Sequence, residues 1–164
     1  MTDDAGSLLQ SARERLAAAG AARERTGELV RPRLLAGLRS PKIVPRAEVW
    51  RVGVLLIGEE DVFAEGNVVR AADPGRRGFT AEATRTRAEL AAAAIRGGFG
   101  EGEPAHLDAV RLDLGVLGRG ESTGPLALVG GVPHVRWSPA AGYTPLAGYL
   151  EERIALLLHP PQGA

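Results

Sequence analysis

The sequence predicts an α+β fold: a mostly antiparallel sheet of about five strands packed by two helices, with an N-terminal helical arm. Three observations carry this. The apolar runs 52–57 and 62–71 flank Gly58-Glu59-Glu60-Asp61 and read as a β-hairpin with a four-residue loop. Residues 125–129 and 132–137 flank Gly130-Gly131 and read as a two-residue hairpin. Helical periodicity runs from the cap Thr80 to Arg96, with Gly97 just past the end, and again over 145–159, one stretch after each hairpin.

At 164 residues the chain is large enough for one self-sufficient domain, placed at 48–164, with residues 1–47 as a helix and a basic, Pro-containing linker. There is no Cys, which excludes disulfides, thiolate nucleophiles and thiolate metal sites. Of the 20 basic residues only Lys42 is Lys, and it lies in Ser40-Pro41-Lys42-Ile43, so the Gly-Lys-Ser/Thr phosphate loop is missing. No cofactor is expected. The acidic N-terminus lacks the basic start of a signal peptide, and no apolar run reaches membrane length, so a cytoplasmic protein is expected.

Taken in order, residues 5–29 read as helix, with Leu8, Leu9, Ala12 and Leu16 on one stripe, Asp3 or Asp4 as cap, and Gly20 and Gly27 as interruptions. Its thin apolar face leaves docking on the body or pairing with a second copy open. Residues 31–47 hold Arg31, Arg33, Arg39, Lys42 and Arg46 with three prolines and no acid, which reads as a linker. In the first hairpin both faces of 52–57 are apolar, so that strand belongs in the middle of a sheet. Thr80 is positioned to cap the next helix, whose buried stripe is Leu90, Ala91, Ala94 and Ile95, with Arg85, Arg87 and Glu89 on the wet face.

Residues 105–114 alternate as a strand with one change of phase at Ala109-Val110, the mark of a β-bulge. His106, Asp108, Arg111 and Asp113 would then share a polar face. In the second hairpin the glycines set Leu126 opposite Val135, Ala127 opposite His134 and Leu128 opposite Pro133, with Pro133 marking a sheet edge. The last helix has Thr144 as cap, Pro145 in the first turn, and Leu146, Tyr149, Leu150, Ile154, Leu157 and Leu158 as its apolar face.

Three stretches could carry chemistry. The glycine-rich loop 97–103, GGFGEGE, fails the dinucleotide fingerprint because Glu103 occupies the third glycine position. Gly120-Glu121-Ser122-Thr123-Gly124 matches G-x-S-x-G, but Pro125 and a strand follow where a nucleophile elbow needs a helix. Glu103, His106 and His134 are the candidate acid–base groups. A ligand site would gather Arg96, Phe99, Glu101, Glu103, His106, Asp108, His134 and Arg136, the two arginines gripping a small carboxylate or amide. No metal site is expected from only three His.

At Arg51-Val-Gly-Val-Leu-Leu, Arg96-Gly-Gly-Phe-Gly-Glu-Gly-Glu and Val135-Arg-Trp-Ser-Pro the chain resembles a group of uncharacterised proteins of high-GC Gram-positive (actinobacterial) bacteria, some called glutaminase. The resemblance runs from about residue 48 to the ending His-Pro-Pro-Gln-Gly-Ala. It transfers no site: serine-dependent glutaminases use Ser-x-x-Lys, and here Ser40 is followed at that spacing by Ile43. The expectation is therefore a small binding or interaction domain with an unidentified small-molecule or protein partner. The alternatives are a hydrolase acting on an amide such as glutamine, and a nucleic-acid accessory using the basic segment 31–46.

Overall fold

The structure, a computed structural model, describes residues 4–31, 40–73, 75 and 81–163. The fold is α+β, with four helices and ten strands among these residues. The chain divides into two compact units, Met1–Arg23 with Trp50–Glu65 and Val110–Ala164, and Glu24–Val49 with Gly66–Ala109. The expected division after residue 47 is thus replaced by an interleaved one.

The first unit begins with α1, Ala5–Ala18. Asp4 caps it, its carboxylate accepting the Ser7 N–H at 2.7 Å. Leu9, Ala12 and Leu16 are buried at helical spacing within this unit. The helix ends eleven residues earlier than the periodicity suggested, at the left-handed Gly20 (φ +61). Ala21 N donates to Leu16 O and Gly20 N to Ala17 O, the paired bonds of a Schellman cap. Trp50 Nε1 fixes the exit by donating to Ala21 O at 3.1 Å.

After Gly20 the chain enters the second unit as strand β1, Glu24–Val30, and returns as β2, Lys42–Val52. Residues 32–39 of the expected linker lie outside the described residues, and 42–47 are strand rather than linker. Pro45 is accommodated because it faces Gly27 beside a register shift in the β1–β2 ladder. The last residues of β2 belong to the first unit, where Val52 pairs with Leu55 of β3, Leu55–Ile57. Gly53 turns that corner at φ +61, and Tyr149 Oη accepts the Val54 N–H at 2.9 Å.

The expected four-residue loop is present, but the run 52–57 is not one strand: Val52 ends β2, Gly53 and Val54 form a turn, and only Leu55–Ile57 leads into the loop. Ile57 of β3 pairs with Val62 of β4, Val62–Ala64, and Gly58 N donates to Asp61 O at 2.8 Å. Arg13 of α1 braces the loop, Nε donating to Gly58 O at 2.7 Å. Leu55, Leu56 and Ile57 are all fully buried, as a central strand requires. The run 62–71 is not one strand, however. It breaks at Glu65-Gly66, and β5, Asn67–Arg70, belongs to the second unit.

In the second unit β5 pairs antiparallel with β6, Pro104–Leu107, which runs parallel to β1. Helix α2, Glu82–Gly97, buries Ala93 and Ala94 with Ile43, Val69 and Phe99. Thr80, its expected cap, lies outside the described residues. Gly97 is the last helical residue rather than the one beyond it. A Cβ there would collide with the carbonyl of Ile43, so glycine lets the helix end approach β2. Gly98 (φ +110) closes the helix, with Phe99 N donating to Ala94 O.

The strand expected over 105–114 is three elements. β6 stops at Leu107, Asp108 turns the backbone at φ 57, and β7, Val110–Arg111, pairs with β4 in the first unit. Helix α3, Leu114–Gly118, follows because Asp113 accepts the Gly115 and Val116 N–H groups. The second hairpin has the expected register: in β8, Leu126–Val129, and β9, Val132–Val135, Leu126 meets Val135 and Leu128 meets Pro133. β9 is a middle strand, since β10, Thr144–Pro145, pairs with its Val135 and His134. That ladder stops short of Pro133, which offers no N–H. Helix α4, Leu146–Leu158, buries Leu146, Tyr149, Leu150 and Ile154 but leaves Leu157 exposed, and Pro145 rather than Thr144 holds the cap position.

Two glycine substitutions test this packing with opposite signs. Gly148 lies in α4 with open space around its Cβ position, so Gly148→Ala should stabilise by about 0.5–1 kcal/mol. Gly97→Ala should destabilise by at least about 1–3 kcal/mol through the Ile43 collision. Thermal unfolding that shifts both variants the same way would contradict the placement of α2.

Candidate functional site

The glycine loop 97–103 is organised by Arg25, a residue that helical periodicity had assigned to the arm. Position 25 lies on β1, next to the start of β6, through the pairing of Arg25 with Ala105. Its guanidinium forks onto Glu103, Nε to Oε1 and Nη2 to Oε2, both at 2.7 Å. Nη2 also reaches Gly98 O at 3.3 Å, and the guanidinium lies 4.7 Å over the buried Phe99 ring. Glu103 Oε2 accepts the Gly100 N–H at 2.8 Å. The Arg25 hydrogen bonds, then the Gly100 N–H, hold the Glu103 carboxyl below the usual carboxylate range, and Glu103 in turn raises the Arg25 pKa.

Further bonds pin the loop. Gly102 N donates to Ala71 O at 2.7 Å, Arg70 Nη1 to Gly102 O at 3.1 Å, and Asp73 N to a Glu101 carboxylate oxygen at 3.2 Å. These glycines make a built turn rather than a loose connector.

The other candidates are distributed differently from the expected cluster. His106 does not share a polar face with Asp108: it is fully buried, its Nε2 hydrogen-bonded to the Glu24 carboxylate. Asp108, beyond the strand end, accepts from Asn67 Nδ2 at 3.0 Å. Arg96 donates to Pro41 O through Nε at 3.0 Å and Nη2 at 2.6 Å, so it faces the start of β2 instead of Glu101 and Glu103. His134 and Arg136 belong to the first unit, so neither unit holds the whole expected set. There His134 Nδ1 donates to Val132 O at 2.9 Å, and Arg136 lies 5.3 Å over Tyr143.

Ser122 is exposed in the segment between α3 and β8. The order is helix, loop, strand, the reverse of the strand, turn, helix that an elbow requires. Among the described residues no group of three or more His, Asp or Glu could hold a metal ion. In the first unit a cavity of about 400 Å³ lies beside Asp61, Arg111 and Asp113. Arg111 Nε donates to Asp61 at 2.7 Å, and Asp113 caps α3.

A larger cavity, about 480 Å³, lies in the second unit along α2. Leu29, Leu90 and Ala93 give it an apolar side; among the described residues that line it, Arg31, Arg85 and Arg96 outnumber the one acid, Glu89. Sequence reading assigned Arg85 and Glu89 to a solvated face. The signal present in the sequence was the spacing of Arg85, Glu89, Ala93 and Arg96, which share one helical stripe.

The chain matches no known family model, no curated protein and no solved structure. No helix among the described residues is long and apolar enough to cross a membrane.

Protonation of Glu103 supplies the test of this arrangement. Because its folded-state pKa is depressed, its contribution to stability is complete above the unfolded-state pKa and is lost as the pH falls through the folded value. Wild type and Glu103→Gln should therefore show a constant Tm gap above about pH 5 that narrows in more acidic solution. A gap independent of pH down to about pH 2 would show that Glu103 is not held as an ion.

Proposed function

We propose that this chain is a small binding domain that works without catalysis. The observation that carries the reading is the engagement of Glu103, the best placed candidate base, whose carboxylate oxygens are both held by Arg25 and one also by Gly100 N–H. A general base needs a lone pair directed at the proton it removes, and a pKa near the working pH. Glu103 is moved away from that range. His106 supports the same reading: it has no exposed surface, and its Nε2 is bonded to Glu24. The amide-hydrolase alternative has Glu103, His106 and His134 as its workers, and His134 belongs to the first unit, its Nδ1 bonded to Val132 O. A serine route would add Ser122, an exposed hydroxyl without the strand–turn–helix setting that activates such a serine.

Ser122 separates the two readings. For a binding domain, Ser122→Ala should change stability by no more than about 0.5 kcal/mol, and a fluorophosphonate probe should leave the wild type unlabelled. Stoichiometric labelling of the wild type, abolished in Ser122→Ala, would establish a serine hydrolase and overturn the proposal.

A further inference from the structure

We infer that the groove along α2 binds a carboxylic acid with a short apolar body, an inference that rests on the binding-domain reading and gives that domain its ligand class. The groove measures about 480 Å³, within the roughly 300–1,000 Å³ of small-molecule sites. Its two kinds of lining are what an amphiphilic acid needs. Leu29 of β1 meets Leu90 and Ala93 of α2 there as an apolar side that methylenes would keep from water.

The charge balance selects the sign of the ligand. Among the described residues, three arginines against Glu89 leave the groove cationic. Arg96 already uses Nε and Nη2 on Pro41 O. Among the described residues the side chains of Arg31 and Arg85 make no hydrogen bond or ion pair, and both residues are exposed. A guanidinium offers paired N–H groups at the spacing of a carboxylate, so the two open forks, Arg85 on α2 and Arg31 just past β1, are the groove's partners for an acid head. Arg85 and Arg96 lie on the same stripe eleven residues apart, roughly 16 Å along the helix axis. A single carboxylate therefore meets one end, and its chain lies over Leu90 and Ala93 towards the other.

The probe is octanoate, titrated into the full-length protein and followed by calorimetry and by amide chemical shifts. Binding should shift the Ala92 and Ala93 amides. Arg85→Gln and Arg31→Gln should each weaken it about tenfold, the loss of one charge-assisted pair. Glu89→Gln should tighten it, because the like charge is removed, and 1-octanol should bind more weakly than octanoate. Equal binding of octanol, shifts confined to residues outside the groove, or affinity unchanged by both arginine variants would overturn the inference. Binding that emerges only after residues 32–39 are replaced by a Gly-Ser stretch would overturn it too, by giving the groove to the chain's own segment. Failure here leaves the binding-domain reading intact as long as Ser122 stays unlabelled, so the two are separable.

Discussion

In the second unit, two segments remote in sequence, β1 and the loop 97–103, are joined by one guanidinium. Arg25 comes from β1, Gly98 and Phe99 from the end of α2, and Glu103 from the approach to β6. A forked pair to a carboxylate is roughly twice as strong per bond as a neutral hydrogen bond. Its geometry also fixes where the carboxylate stands. Glu103 in turn holds Gly100 N–H, and the Glu103 carbonyl accepts from Ala71 N at 2.9 Å. The parallel pairing of β1 with β6 and the exit of the chain from α2 are therefore set by the same charge. Glycine at 97 permits the close approach of helix and strand; Arg25 determines the course of the chain beyond that glycine.

Comparable ties organise the first unit around backbone groups. Arg13 holds the Gly58–Asp61 loop, Tyr149 accepts from the Val54 N–H, and Trp50 donates to Ala21 O. Each satisfies a main-chain atom at a turn that the sheet ladders leave unpaired. Polar atoms on Arg, Tyr and Trp thus complete corners while the apolar parts of Tyr149 and Trp50 remain in the core.

What could be read from the residues alone was local. The hairpin at Gly130-Gly131 was legible to its register because two glycines fix the pairing of every residue beside them. The Gly58–Asp61 hairpin, α2 and α4 were legible for the same reason: loop chemistry and helical period act within a few residues. Residues 24–30 were misread because the stripe of α1 extrapolates through them, whereas the Schellman cap at Gly20 ends the helix. The break at Asp108 has a different origin. Gly66 lets the backbone come close to the Leu107 and Asp108 carbonyls, a contact between positions about forty residues apart that no local pattern encodes.

The candidate site shows how residue type misleads when position is unknown. Glu103, His106, Asp108, Arg96 and His134 have side chains suited to chemistry, and each has a bond that shapes the fold. Arg85 and Glu89 gave the opposite signal, that of an ordinary wet helix face. Seeing the groove required knowing that residues 24–30 are a strand, because only then does Leu29 come to lie opposite that face. An error in one element therefore displaced the site by hiding the wall that makes a helical stripe concave. A charged stripe beside open water holds a ligand weakly, since exposed ion pairs contribute little. The same stripe beside an apolar wall holds part of the ligand out of water and strengthens the charge interaction next to it. It is the wall supplied by β1, more than the arginines themselves, that turns this face of α2 into a place where an acid can be retained.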